Sequence, residues 1–324
     1  MVKAIQFKSA GGPEVLEMTD VDLAAPGAGE IQVKHTAIGL NFIDTYHRSG
    51  LYPLPLPSGI GMEGAGAVAA VGSGVTDLKE GDRVAYASPP PGSYAEARNI
   101  AADRVVKIPD GVEDRTAAAM MLKGMTAQYL IRQIYKVSKG DTILIHAAAG
   151  GVGQIVCQWA SSLGATVIGT VGSKEKAEIA KANGCHHPVL YNDEDFVERV
   201  KEITDGKMLP VVYDSIGATT FEKSLDCLRP RGLMVSFGQA AGPIPPVNLG
   251  IFAQKGSLFF TRPTLFNYIS TAEDLRATAS DLFDAVKSGA VKIHIDQTFP
   301  LAEARAAHEA LEARKTTGST ILLP

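Results

Sequence analysis

The strongest chemical signal in this chain is the run TILIHAAAGGVGQIVCQWASSLGA, Thr142 to Ala165. Within it Ala148, Gly150 and Gly153 form an AxGxxG pattern, placed after an apolar strand-like stretch and before an amphipathic helix-like one. Small residues there let the chain turn tightly and let backbone N–H groups approach a pyrophosphate. The positive end of the following helix then faces the diphosphate charge. A tight turn that only packs would use the same residues. Strand, loop, helix and next strand in sequence favour the dinucleotide.

The identity of that dinucleotide turns on the end of the next strand, where NAD-binding sheets carry an Asp or Glu for the ribose 2′-OH. Here the residues are Gly169-Thr170-Val171-Gly172-Ser173-Lys174-Glu175-Lys176. No acid occupies 170–173, and two lysines follow. A 2′-phosphate is welcomed by Ser and Lys and repelled by an acid, so NADP(H) is expected. The competing reading is a solvated helix start.

The elements that must position this loop are legible around it. Strand-like runs recur at Thr142–Ala147, Ala165–Thr170, Val189–Tyr191, Val211–Asp214, Leu233–Phe237 and Ser257–Thr261, with helical patterns between most of them. The clearest helix carries Val152, Ile155, Val156, Trp159, Ala160 and Leu163 on one stripe. Strands alternating with helices imply a parallel, doubly wound sheet of Rossmann type. The region before it alternates short β-like runs (Val2–Phe7, Glu30–Ala37, Ala65–Val71, Arg83–Ala87, Tyr94–Ile100) with dense Pro/Gly turns, which predicts a partly barrel-like β domain. After Arg262 come a helix near Ala272–Ser288, a strand at Lys292–Phe299, a helix near Ala302–Arg314 and a last strand, Thr320–Leu323. So short a terminal piece is expected to return to the N-terminal domain.

Composition sets the outer limits. The chain has 324 residues, 45% of them hydrophobic and 20% charged, enough for two globular domains. Thirty-one basic against thirty-five acidic residues give a formal charge of −4, which argues against nucleic acid or an anionic membrane as partner. Cys157, Cys185 and Cys227 have neither zinc nor disulfide spacing and suit a reducing cytosol. The start lacks a signal-peptide pattern. Residues 142–173 lack Asp, Glu, Lys and Arg but are broken by Gly, Gln and Ser, so they read as buried strand, helix and strand rather than a membrane span.

Taken with its flanks, the loop resembles that of the medium-chain dehydrogenase/reductase superfamily, and within it the NADPH:quinone oxidoreductase, zeta-crystallin-like branch. Gly140-Asp141, Leu144, Ala148-Ala149-Gly150-Gly151-x-Gly153, Gln158 and Ser161 match every fixed place of that branch's loop pattern. Gly12-Pro13-Glu14-Val15-Leu16, Asn41-Phe42-Ile43-Asp44, Gly81-Asp82-Arg83-Val84 and Tyr213-Asp214-Ser215-Ile216-Gly217 extend the match over the whole length. The resemblance implies an α/β protein: a GroES-like β-rich catalytic domain over 1–122, completed by 263–324, plus a Rossmann doubly wound parallel-sheet domain over 123–262, with NADPH in a cleft between them. It also implies that no metal takes part. Zinc-dependent members carry Cys at the position of Asn41, Gly-His-Glu at Gly61-Met62-Glu63, and a four-cysteine lobe after roughly residue 85, whereas this chain has no cysteine before Cys157.

The activity so implied is NADPH-dependent reduction of a quinone in the cytoplasm. Reduction gives a hydroquinone anion, so a nearby donor should stabilise or protonate the oxyanion. The resemblance places Asn41, Tyr46 and Tyr52 around the nicotinamide end, and Arg262 is a candidate positive charge there. For the cofactor it adds Thr126; Ala149, Gly150, Gly151, Val152 and Gly153 at the diphosphate; Gly172, Ser173, Lys176 and Tyr191 around the 2′-phosphate. Ser215, Phe237, Gly238, Gly318 and Ser319 complete the set. The rule that ligands sit at the carboxyl ends of parallel strands supports Ser215 and Gly238 independently. Asp214 also reads as a helix cap, and His47 and His146 as structural. Reduction of an activated C=C bond, and an NADPH- and RNA-binding role, are the rival readings. A homodimer through the edge strand is expected, with Leu258, Phe259 and Phe260 giving it apolar surface.

Overall fold

Alternation of polar and apolar residues makes strands of most of the N-terminal region in the computed structural model, which describes residues 1–324. These are β1 (Val2–Phe7), β2 (Glu17–Val21), β3 (Glu30–Leu40), β4 (Ser58–Gly59), β5 (Glu63–Val71), β6 (Arg83–Ala87), β7 (Ala97–Ala101) and β8 (Val106–Lys107), interrupted by helix α1 (Phe42–Arg48) and followed by α2 (Asp114–Gln128). In β3 Ile31, Val33, His35 and Ala37 are buried while Lys34 and Thr36 face out; burial then becomes continuous through Leu40. The strand leads directly into α1, with Asn41 as its N-cap.

The second series is α/β throughout: β9 (Thr142–His146), α3 (Gly151–Ser162), β10 (Thr166–Val171), α4 (Lys174–Ala182), β11 (His187–Leu190), α5 (Phe196–Ile203), β12 (Leu209–Asp214), α6 (Phe221–Asp226), β13 (Leu228–Ser236), α7 (Gly250–Gln254), β14 (Phe259–Thr261) and α8 (Leu265–Tyr268). Then come α9 (Ala272–Lys287), β15 (Ile295–Pro300), α10 (Ala304–Glu312) and β16 (Ser319–Leu323).

Contacts divide the chain into two units. One is Met1–Met125 with Ile269–Lys287 and Ile293–Pro324; the other is Thr126–Tyr268 with Ser288–Lys292. In the first, a seven-stranded sheet runs β15-β16-β3-β5-β6-β8, with β7 also on β3, and a three-stranded sheet runs β2-β1-β4. The C-terminal strand returns to β3, Ile321 opposite Gly39. One apolar core joins Ile5, Phe7, Ile38, Leu40, Leu301 and Leu322; another joins Ile31, Val33, Val68, Val84 and Ile100.

The second unit is a Rossmann sheet of six parallel strands in the order β11-β10-β9-β12-β13-β14. The chain reverses direction of growth between β9 and β12, the switch point at which such sheets bind ligands. The α3 stripe reads as expected: Ile155, Val156, Trp159 and Ala160 are buried. One edge detail corrects the sequence reading. Leu258 is buried in the core behind the sheet, and only Phe259 and Phe260, 62% and 42% exposed, face outward. Ser257 adopts φ 56°, which ends the regular path and turns Leu258 inward.

Candidate dinucleotide and substrate site

At the mouth of β9 the backbone turns through Ala147, held at φ 56°, into Gly150, the N-cap of α3. No side chain caps this helix, so its first N–H groups remain for an anion, and its dipole favours one. A Cβ on Gly153 would run into the Ala147 carbonyl oxygen and lie 2.7 Å from the Ala148 Cα, so only glycine lets α3 pack this closely on the loop. Gln154 ties its amide to the Ala149 carbonyl at 2.9 Å and holds the turn. Ala149, Gly150, Gly151, Val152 and Gly153 therefore form one cradle.

The 2′-phosphate candidates also meet at the end of β10. A Cβ on Gly172 would lie 2.7 Å from the Tyr191 hydroxyl, and Asn192 bonds the Gly172 carbonyl at 2.9 Å. Ser173 caps α4 by accepting from the Lys176 N–H at 3.3 Å. The Glu175 carboxyl, held below its ordinary range by a backbone N–H first and by the Ser173 hydroxyl second, puts one acid on the flank. Further along the sheet, a Cβ on Gly238 would lie 2.7 Å from the Ser215 carbonyl oxygen, so the ends of β12 and β13 abut; the Phe237 N–H bonds the Asp214 carbonyl at 2.8 Å. The residues present fit a dinucleotide diphosphate and a 2′-phosphate.

Asp214 serves the fold. Its carboxylate accepts from the N–H groups of Ile216 (2.7 Å) and Gly217 (3.1 Å) and from the hydroxyls of Thr220 (2.7 Å) and Ser224 (3.0 Å). Because Ser224 donates to Asp214, it accepts from His146 Nε2 at 2.9 Å, and Thr170 donates to His146 Nδ1 at 2.8 Å. His146 is buried and neutral, its pKa lowered by burial. Arg262 donates to the Ser236 carbonyl at 3.0 Å and lines an apolar pocket of about 290 Å³ with Gly238, Ile244, Phe252 and Phe260.

A grouping that sequence reasoning missed lies at the start of this unit. Thr126 bonds Tyr129, which stacks on Tyr268 at 4.5 Å with rings 8° apart, and the Arg262 charge reaches Tyr129. The i, i+3 spacing of Thr126 and Tyr129 on a helical run was the available signal.

In the N-terminal unit Tyr46 and Tyr52 meet edge to face at 5.3 Å, with Phe42 against Tyr46 and His47 against Tyr52. His47 Nδ1 is buried without a partner. The Asn41 side chain accepts from the third helical N–H and donates to Glu63 Oε2 at 2.7 Å. Lys123 lies 3.6 Å from the same carboxylate oxygen and donates to the Leu40 carbonyl at 2.9 Å. An amide, a thioether (Met62) and a carboxylate already facing an ammonium do not fit a zinc ion. Ser319 donates its hydroxyl to the Ala119 carbonyl at 2.9 Å, and Gly318 stands beside it at φ 52°.

Fold and site together define a two-domain reductase of the alcohol dehydrogenase type. Residues 27–110 match the family model of the alcohol dehydrogenase GroES-like domain and residues 151–285 that of the zinc-binding dehydrogenases. The chain is 58% identical to the quinone oxidoreductase of Pseudomonas aeruginosa over all of both chains. It is 48% identical to 2-haloacrylate reductase of a Burkholderia species, covering 100% of this chain and 99% of that one. Among solved structures, Escherichia coli quinone oxidoreductase complexed with NADPH superposes with a TM-score of 0.98 at 52% identity, covering 99% of this chain and 100% of that one. This chain belongs to the quinone oxidoreductase family of the medium-chain dehydrogenases/reductases.

Proposed function

We propose that the chain is a zinc-independent reductase that transfers a hydride from NADPH to a quinone. Whole-length identity to quinone oxidoreductases carries this reading, supported by an AxGxxG turn and an acid-free end of β10 that suit NADPH. In it, 1–122 with 263–324 is the catalytic domain and 123–262 the NADPH-binding domain.

NADPH, when bound, supplies the hydride; the chain supplies orientation, charge and exclusion of water. Ala149, Gly150, Gly151, Val152 and Gly153 hold the diphosphate. Gly172, Ser173, Lys176 and Tyr191 hold the 2′-phosphate. Thr126, Ser215, Phe237, Gly238, Gly318 and Ser319 line the rest of the cofactor. Tyr46 and Tyr52, set edge to face, offer an aromatic corner and two hydroxyls to the quinone. Asn41 spends one N–H on Glu63 and keeps the other for the oxygen on which charge develops; Arg262 adds positive charge.

Initial rates of NADPH oxidation test this directly, with 1,4-benzoquinone and a 2-alkenal as acceptors, before and after prolonged EDTA. We expect the quinone to be the faster substrate and EDTA to leave both rates unchanged. The kinship to 2-haloacrylate reductase favours C=C reduction as the second reading. An alkenal preferred tenfold would make that the function, and activity lost to EDTA and restored by zinc would overturn the metal-free site.

We further propose a homodimer and a cytoplasmic location. Support for the dimer is the edge strand β14, with Phe259 and Phe260 exposed and Leu249 76% exposed nearby in sequence. All three cysteines are free and buried, which suits a reducing compartment, and no helix is long and apolar enough to cross a membrane. Sedimentation at micromolar concentration is expected to give twice 34.1 kDa, and a single species at 34.1 kDa would refute the dimer.

A further inference from the structure

Helix α1 is built inside out. A surface helix ordinarily turns an apolar stripe to the core and its polar residues to water. Here Asp44, Thr45, His47 and Arg48 are buried, while Phe42, Ile43 and Tyr46 are only half-buried. Arg48 stands two positions beyond Tyr46, about 200° round the helix, so the two lie on opposite sides of α1. Seven residues are too few to hold a helix by propensity, and a polar inner face gains little from apolar contact. Hydrogen bonds must fix it instead.

Arg48 supplies the largest set of them. It is 2% exposed, and each guanidinium nitrogen has its own acceptor. Nε donates to the Gly11 carbonyl at 3.1 Å, Nη1 to His308 Nδ1 at 3.0 Å and Nη2 to Glu312 Oε1 at 2.6 Å. The Arg48 carbonyl in turn accepts from the Gly11 N–H at 3.1 Å, which makes the link to the loop after β1 reciprocal. Because Arg48 can only donate, His308 Nδ1 accepts, and its proton lies on Nε2, 3.2 Å from the Tyr94 hydroxyl. Tyr94 then donates to Asp44 Oδ2 at 3.0 Å, one turn before Arg48. The inner face of α1 is thus held against rotation by α10, by Tyr94 and by the loop after β1.

What that rotation sets lies on the outer side. Tyr46 packs on Phe42 at 5.8 Å and edge to face on Tyr52 at 5.3 Å. The Tyr46 carbonyl accepts from the Tyr52 N–H at 3.0 Å, after a turn through Gly50 at φ 81°. A helix turned about its axis would carry both rings with it. We propose that Arg48 is a positioning residue: its three-way anchor to Gly11, His308 and Glu312 fixes α1, and through α1 the Tyr46–Tyr52 corner that receives the electron acceptor. This rests on the reading that gives that corner to the quinone. Arg48 acts from the far side of the helix, through the backbone.

Steady-state rates with 1,4-benzoquinone and NADPH test the anchor in a mutant cycle. Lysine keeps the charge but not the fork, so Arg48→Lys cannot serve three acceptors in fixed geometry. It should raise KM for the quinone about tenfold, the scale of a lost aromatic contact, and leave KM for NADPH unchanged. Tyr46→Leu with Tyr52→Leu removes the corner and should raise the same KM at least as much. In that background Arg48→Lys should change KM by less than about twofold, because the rings it acts through are gone. A role in stability alone would lower the folded fraction, and so the rate per chain, with both KM values unchanged. That result overturns the proposal, as does an Arg48→Lys effect of equal size with and without the two tyrosines. Should Arg48→Lys fail to fold, Glu312→Ala removes one anchor at a side chain 37% exposed. It should raise KM for the quinone about threefold, and no change there overturns the proposal equally. A wild type that reduces a 2-alkenal but no quinone overturns the quinone reading instead, and the same cycle run with the alkenal then decides on the anchor.

Discussion

Replacing Lys176 with alanine is expected to raise KM for NADPH roughly ten- to a hundredfold and to leave NADH nearly unaffected. The 2′-phosphate is the one group by which the two cofactors differ, and Lys176 stands in the first turn of α4 at the end of β10, where that phosphate belongs. Tyr191 comes up beside Gly172, and Ser173 caps the same turn, so the three side chains share one corner. Because the Ser173 hydroxyl also serves Glu175, Lys176 is expected to carry the larger share of the recognition. A hydrogen bond to a charged group contributes about 1.5–3 kcal/mol net. At about 1.4 kcal/mol per decade, that is one to two orders of magnitude in binding. The bond is the same in ground and transition states, so kcat should hold. Salt should shrink the effect toward the lower bound, since Lys176 is only partly buried. An equal loss with both cofactors, or none with NADPH, would return Lys176 to an ordinary solvated helix residue.

The second large effect is on stability against pH, and His308 carries it. Burial first, and the Arg48 guanidinium beside it, lower the His308 pKa to about 3. In the unfolded chain the same imidazole titrates near its ordinary value of 6.5. Between those two values the unfolded state holds a proton the folded state refuses, so stability falls as the pH falls through that window. The slope is about 1.4 kcal/mol per pH unit for one group. Asp44 acts in the opposite sense, because its raised pKa makes the folded state bind the extra proton between about 4 and about 7. Wild type alone would therefore show the two effects partly cancelled. Comparison with His308→Gln isolates the histidine, since glutamine offers an oxygen to Arg48 and an N–H to Tyr94 without titrating. Near pH 8 the two proteins should differ little in unfolding free energy. On acidification to pH 4 the wild type should lose about 3 kcal/mol relative to the variant. A difference that stays constant across this range would mean that His308 is protonated in the fold.

The local part of this protein was legible in its amino-acid order. Strand β9, the AxGxxG turn and helix α3 are consecutive, and their signals are steric and periodic: glycine where a Cβ meets backbone, apolar residues at helical spacing, no acid at the end of β10. The six-strand alternation predicted the Rossmann sheet for the same reason, because each βαβ unit is closed within a short stretch of chain. The short strands β2 and β4 escaped notice, since each is defined by its partner, β1, more than by its own pattern. Tyr94 looked like the start of a strand; in the fold the strand begins at Ala97, and the Tyr94 hydroxyl closes on Asp44. Asp44 read as part of a family motif with no stated task. Its environment is assembled from Tyr94, Lys123, Arg48 and His308, and the bond from Arg48 to Glu312 spans 264 positions. No spacing rule reaches that far, because the charge balance of a buried cluster depends on which distant side chains the sheets bring together. The chain order thus determined the nucleotide loop and the class of fold, whose causes act between neighbours. Only the tertiary structure decided which acids are dry, which of them faces Lys123, and which carboxyl oxygen is left without a partner.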